Sequence, residues 1–191
     1  KDPRYKLFHI PQTGAIFVPS RFSDLRDLIR DLDPVGKYVA DLGTGDGRIL
    51  RVFRCAGAFE ATGLEKYEYP IYFSKKVGQR CYKEELKGGR IHIFHDDFIK
   101  ADLRNYDIIF YFYNSNINMS VQKELERKLL DQTKPEALVI ILGYGMASEY
   151  LEGTPFKCLV KKDVYSIYTK PVASSPIFTA NKPFFIGLEK K

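Results

Sequence analysis

Val39-Ala40-Asp41-Leu42-Gly43-Thr44-Gly45-Asp46-Gly47-Arg48 joins an apolar run to three glycines spaced one residue apart. The run from Tyr38 to Leu42 reads as a short buried strand. Ile49, Val52, Phe53 and Ala56 then recur at i, i+3, i+4 and i+7, the period of a helix with one buried side. Strand, glycine turn and helix form the opening unit of a doubly wound nucleotide-binding sheet. Glycine in the turn lets a ligand approach the backbone where a Cβ would clash, and the helix start presents free N–H groups to an anion.

Two features separate this turn from the dinucleotide fingerprint. The glycines are spaced 43, 45, 47 rather than G-x-G-x-x-G, and a carboxylate, Asp41, stands ahead of the first. A pyrophosphate would be repelled there, whereas a ligand carrying an ammonium group would be attracted. Asp41-x-Gly43-x-Gly45-x-Gly47 resembles motif I of the class I S-adenosylmethionine (SAM) methyltransferases. The resemblance implies SAM as cofactor, held around Asp41, Gly43, Thr44, Gly45 and Gly47. It also implies an α/β fold, a doubly wound and mostly parallel seven-stranded sheet that ends in an antiparallel hairpin.

Composition fits a soluble globular chain: 191 residues, 45% hydrophobic and 28% charged, enough for one domain with a full core. We expect residues 1–36 to form an arm and a helix, 37–170 the core, and 171–191 a tail rich in proline and phenylalanine. The longest apolar run, Ala137 to Leu142, is far too short to span a membrane, and Lys1-Asp2-Pro3-Arg4 has no apolar signal segment. Cys55, Cys81 and Cys158 are odd in number and widely spaced, which predicts reduced core cysteines in a cytoplasmic protein. His9, His92 and His95 form no metal pattern with them, so no metal site is expected. The net charge of +6 admits an acidic partner, RNA included.

Before the core, Pro3, Pro11 and Pro19 interrupt short apolar pieces and predict an extended arm. Ser20 or Ser23 is placed to cap the helix that follows, with Phe22, Leu25, Ile29 and Leu32 on its buried side. Beyond the glycine turn, Ala61 to Glu65 reads as a strand ending in an acid. A carboxylate at that tip is suited to the two hydroxyls of a ribose. A helix starting near Pro70 is expected to bury Tyr72, Phe73, Val77 and Cys81 and to expose Lys75, Lys76, Arg80 and Lys83.

Arg90 to Phe94 reads as the third core strand and runs into His95-Asp96-Asp97-Phe98. The resemblance assigns the adenine amino group to Asp97, with Asp96 as the alternative, and the adenine ring to Phe98. Tyr106 to Phe112 is a fourth, continuously apolar strand, of the kind covered on both faces. A helix through Val121, Leu125 and Leu129 and a fifth strand from Ala137 follow. Phe156–Lys161 and Val164–Lys170 then read as a β-hairpin, the ending of the class I fold.

Within that class, Phe17-Val18-Pro19-Ser20 ahead of a helix, then Asp-Leu-Gly-x-Gly-Asp-Gly-Arg, is similar to small protein-lysine methyltransferases of archaeal type. Tyr113-Asn114-Ser115-Asn116 replaces the Asn/Asp-Pro-Pro-Tyr of adenine- and glutamine-directed enzymes. Tyr113 and Asn114 therefore stand as candidate catalytic residues of an acceptor pocket, with Tyr111 beside them. Aromatic rings there would favour loss of the proton from a lysine by desolvation. A protein-lysine acceptor leads this reading. RNA or a small molecule as acceptor, or a SAM-binding protein without activity, remain the alternatives.

Overall fold

The computed structural model describes residues 8–9, 16–113, 118–143 and 150–172. Phe8–His9 (β1) pairs antiparallel with Ile16–Phe17 (β2), so the described parts of the arm are extended, as its prolines predict. Helix α1 (Phe22–Arg30) leads to β3 (Tyr38–Leu42), and α2 (Arg48–Cys55) to β4 (Glu60–Glu65). Then come α3 (Glu68–Cys81), α4 (Lys83–Lys87), β5 (Ile91–His95), β6 (Ile108–Phe112), α5 (Met119–Gln132), β7 (Leu138–Leu142), β8 (Lys157–Lys161) and β9 (Tyr165–Thr169).

Seven strands form one sheet in the order β5-β4-β3-β6-β7-β9-β8. The first five are parallel, and β9 lies antiparallel between β7 and β8. This is the expected doubly wound sheet with its closing hairpin. Alternate residues of the central strands face opposite layers, the period-two rule of a strand. Val39, Ile108, Phe110, Ile140 and Leu142 join the core under α1 and α2, with Leu25, Leu28, Ile49, Leu50 and Phe53. Ala40, Leu42, Ile109, Tyr111, Val139 and Ile141 face the second layer, with Leu125 and Leu129 of α5.

Three expectations about side chains are corrected. Neither Ser20 nor Ser23 caps α1: Arg21 holds the N-cap position without a side-chain hydrogen bond. Leu25 and Leu28 are the buried residues of that helix, while Phe22 at its start is 46% exposed and carries the Arg48 guanidinium over its ring at 5.2 Å. In α3 the buried residues are Pro70, Ile71, Ser74 and Gly78, with Val77 partly buried; Tyr72, Phe73 and Cys81 face outward. The reason is closeness. A Cβ on Gly78 would lie 2.7 Å from Leu86 and 2.8 Å from the Tyr82 ring, so the helix seats itself by its small residues.

All three cysteines are free but exposed, not buried in the core: Cys55 and Cys81 close helices, and Cys158 lies on β8. Among the described residues β8 is an outer strand of the sheet, with a register shift between Cys158 and Val160 where it pairs with β9.

Candidate functional site

The parallel strands present their carboxyl ends along one rim. At β3 the chain order reverses, with β4 on one side and β6 on the other, and such a switch point opens a crevice. Asp41 stands there, 2% exposed, and its Oδ2 has no hydrogen-bond partner. Burial pushes its carboxyl up to about 7; the nearby Thr44 hydroxyl opposes the shift, and the neighbouring charges of Glu65 and Asp46 add to it. A buried carboxylate oxygen without a donor is rare and points to a ligand group that supplies one.

The turn beyond Asp41 is shaped by backbone bonds. The N–H groups of Gly43 and Thr44 both donate to the Leu64 carbonyl, at 2.8 and 3.1 Å, and Gly47 N–H donates to Thr44 O at 2.9 Å. Gly43, Gly45 and Gly47 take φ of 82°, 55° and 75°, the left-handed region that other residues enter only with strain. Gly47 has a second reason to be glycine: a Cβ there would stand 2.5 Å from the Tyr82 hydroxyl. Thr44 is buried against β4, where a Cβ on Gly63 would fall 2.6 Å from its Oγ1.

Arg48 locks the turn to the segment before α1. Its guanidinium binds both carboxylate oxygens of Asp46, at 2.5 to 3.0 Å, and donates to the Ser20 carbonyl at 3.0 Å. The pair is largely buried and bidentate, the arrangement in which an arginine–carboxylate contact is strong.

Glu65, at the tip of β4, is buried. Its Oε2 accepts from Gly45 N–H at 3.2 Å and its Oε1 from Tyr67 N–H at 3.1 Å. Burial pushes its carboxyl up, and the N–H groups of Tyr67, Gly45 and Lys66 oppose the shift. In the turn after β5, Asp97 accepts from Ile99 N–H at 3.0 Å and pairs with Lys66 at 3.0 Å. Partial burial alone would raise its carboxyl; Lys66 and the Ile99 N–H outweigh that and hold it below the usual range. Asp96 is exposed and bonds the Glu65 carbonyl through its N–H at 3.0 Å.

Phe98 is half-buried with its ring 6.0 Å from that of Tyr111. Tyr150 lies 5.9 Å from Tyr111 and 5.4 Å from Tyr113, and its hydroxyl donates to the Gln122 carbonyl at 2.8 Å. Four aromatic rings thus line the end of β6. Tyr113 belongs to them; Asn114, Ser115 and Asn116 lie outside the described residues.

Asp41, the glycine turn and Glu65 are therefore in one place, with Asp97 and Phe98 at the next strand end. Sequence reasoning passed over Lys66, Arg48 and Tyr150. The first two had a signal, a cation next to the strand-tip acid and an Asp-x-Arg spacing inside the turn. Tyr150 had none, since only the fold brings it to β6. Among the described residues no cluster of His, Cys, Asp and Glu could hold a metal ion, and no helix is long and apolar enough to cross a membrane.

No protein-family model matches the chain. In sequence it is 25% identical over 118 residues to a human lysine N-methyltransferase named for a component of ATP synthase. That match covers 62% of this chain and 48% of the relative, so the chain spans about half the length of the curated protein it matches. In structure it is similar to an RNA methyltransferase from Salinibacter ruber in complex with S-adenosyl-L-homocysteine, with a TM-score of 0.62 at 22% identity over 84% of this chain and 97% of that one. A ribosomal protein L11 methylase from Lactobacillus delbrueckii subsp. bulgaricus gives a TM-score of 0.60 at 14% identity, over 78% and 79%. The fold is that of the class I SAM-dependent methyltransferases.

Proposed function

We propose that this chain binds SAM at the β3–β4 rim and transfers its methyl group to lysine side chains of a protein. The observation that carries the cofactor is the buried, unpartnered Oδ2 of Asp41 beside a turn of three left-handed glycines. An α-ammonium group is the donor that such an oxygen lacks. Glu65 is the acceptor for ribose hydroxyls, Asp97 for the adenine amino group, and Phe98 offers its ring to the base. Gly43, Thr44, Gly45 and Gly47 let the ligand run along the backbone.

Bound SAM supplies an electrophilic methyl on a sulfonium. The protein's task is to align the acceptor, exclude water and let the acceptor lose its proton. The rings of Phe98, Tyr111, Tyr113 and Tyr150 form an apolar wall suited to that desolvation. Tyr113 and Asn114 are the residues to which we assign orientation of the amine. Lysine as acceptor is supported by the likeness to the human lysine N-methyltransferase and by the lack of an Asn-Pro-Pro-Tyr motif after β6. The three free cysteines suit a reducing, cytoplasmic setting.

Labelled SAM incubated with the chain and a cell lysate, with RNase and protease arms, tests this. The expected result is label that resists RNase, is lost to protease, and maps to methyl-lysine by mass spectrometry. Label in nucleotides overturns the acceptor and leaves the cofactor. No label, with no calorimetric response to SAM or S-adenosylhomocysteine, overturns both.

A further inference from the structure

Helices α2 and α3 pack on the same face of the sheet, and they meet at the start of α2, where a Cβ on Gly47 would lie 3.5 Å from the Cβ of Ser74. Both are strongly basic. Helix α2 carries Arg48, Arg51 and Arg54 and no acid; α3 carries Lys75, Lys76 and Arg80 against one acid, Glu68, in its first turn. Their net charge is +5, or +4 once Asp46, the partner of Arg48, is counted. Arg48 is engaged by Asp46 and Arg54 by the carbonyls of Ala58 and Phe59. Arg51, Lys75, Lys76 and Arg80 point to solvent.

A ring stands among these cations. Tyr72 is 58% exposed, and the Lys76 ammonium lies over it at 4.5 Å. Tyr72, Lys75, Lys76 and Arg80 fall at i, i+3, i+4 and i+8, so they share one side of the helix. Solvation alone explains scattered lysines. What sets this face apart is that its cations surround an exposed ring, the combination on which phosphates and unpaired bases are held together.

We propose that the outer side of α2 and α3 is a docking surface for single-stranded RNA. Phosphates meet Arg51, Lys75, Lys76 and Arg80, and Tyr72 offers a ring on which an unpaired base stacks. An acidic polypeptide would use the cations alone, whereas a nucleobase can also stack on the part of the Tyr72 ring that Lys76 leaves exposed. Cations and an exposed ring on one helix side favour RNA. This surface is independent of the methyl-transfer reading, since it uses none of the residues at the β3–β4 rim.

The test is fluorescence anisotropy of a labelled single-stranded RNA of mixed sequence titrated with the full chain at several salt concentrations. Binding should weaken with salt, and Lys75→Ala/Lys76→Ala/Arg80→Ala should flatten the log–log slope by about 2, from the three lost contacts. The control triple Lys123→Ala/Arg127→Ala/Lys157→Ala, from α5 and β8, should leave it unchanged. Tyr72→Ala should lower affinity by roughly fivefold or more at every salt concentration without altering the slope. Polyglutamate of equal length should bind at least tenfold more weakly than the RNA. Absence of RNA binding at low salt, equal binding of polyglutamate, or equal effects of the two triples would each overturn the proposal. Circular dichroism melts of all variants, whose changes are at exposed positions, separate loss of binding from loss of fold.

Discussion

The ammonium of Lys66 stands 3.0 Å from Oδ2 of Asp97 and ties the end of β4 to the turn after β5. Oδ1 of the same carboxylate accepts from Ile99 N–H, so both oxygens have a partner. If Asp97 meets an adenine amino group, that group shares Oδ2 with Lys66. The lysine side chain is 58% exposed, and an ion pair of that kind contributes only about 0–1 kcal/mol. Lys66→Ala should therefore keep S-adenosylhomocysteine affinity within about fivefold. Asp97→Ala should lower it by about tenfold or more through a lost charge-assisted hydrogen bond. Calorimetry that found Lys66→Ala the more damaging would put the adenine contact elsewhere.

Asp41 carries a pH signature. Its carboxyl is pushed up to about 7 by burial, against about 3.9 in an unfolded chain. Between those values the folded protein binds the extra proton, so this group makes stability fall as pH rises from about 4 to about 7, with no further change above. Asp41→Asn should remove that slope from a series of thermal melts. An ammonium ligand favours the ionised carboxylate, so affinity for S-adenosylhomocysteine should climb towards pH 7. It should fall again at alkaline pH, where the ligand's own α-amino group loses its proton. In Asp41→Asn the rising limb should vanish; a rising limb of wild-type size in that variant would remove Asp41 from ligand contact.

Glu65 holds the glycine turn through Gly45 N–H even without a ligand. Glu65→Ala removes that acceptor, the acceptor of Tyr67 N–H and the proposed ribose partner together. Each charge-assisted bond is worth roughly 1.5–3 kcal/mol before water replaces it, so affinity should drop at least tenfold. Glu65→Gln keeps the shape and one oxygen and should fall between. Unchanged calorimetric affinity in the alanine variant would show that the ribose is held elsewhere.

Gly47 and Tyr82 are coupled by space. Gly47→Ala sets a Cβ 2.5 Å from the tyrosine hydroxyl, at φ 75°. The expected cost is roughly 2–4 kcal/mol in denaturant unfolding, part clash and part backbone strain. Tyr82→Phe alone loses one hydrogen bond to the Ser74 carbonyl, about 1 kcal/mol. The double variant should recover the clash and keep the strain. Strict additivity of the two single changes would mean that the hydroxyl is not what excludes a side chain.

The sequence made the sheet legible because its signals are local. Residues 38–48 specify strand, turn and helix in one stretch, and Glu65 at the tip of β4 and Asp97 in the turn after β5 are read by counting from strand ends. Helix faces were less legible. Tyr72 and Phe73 look like core by hydrophobicity, yet α3 approaches the sheet through Ser74 and Gly78, and that choice depends on Tyr82 and Leu86 across the interface. Phe22 was misread for a similar reason: its partner is a guanidinium 26 positions on, not the core. The aromatic wall was half visible, since Tyr111 at the end of β6 and Tyr113 just beyond it stand two residues apart, while Tyr150 arrives from another loop.

The irregular pairing of β8 has a consequence for how copies of this chain meet. A free strand margin is a template on which another chain can add itself, and long regular margins lead to aggregates. Here the margin is five residues long, is thrown out of step between Cys158 and Val160, and has a lysine at each end. A second copy approaching it would bring the same short margin and the same misfit. Among the described residues, growth by sheet addition is thereby disfavoured along β8, where Leu159 lies exposed and would otherwise invite it.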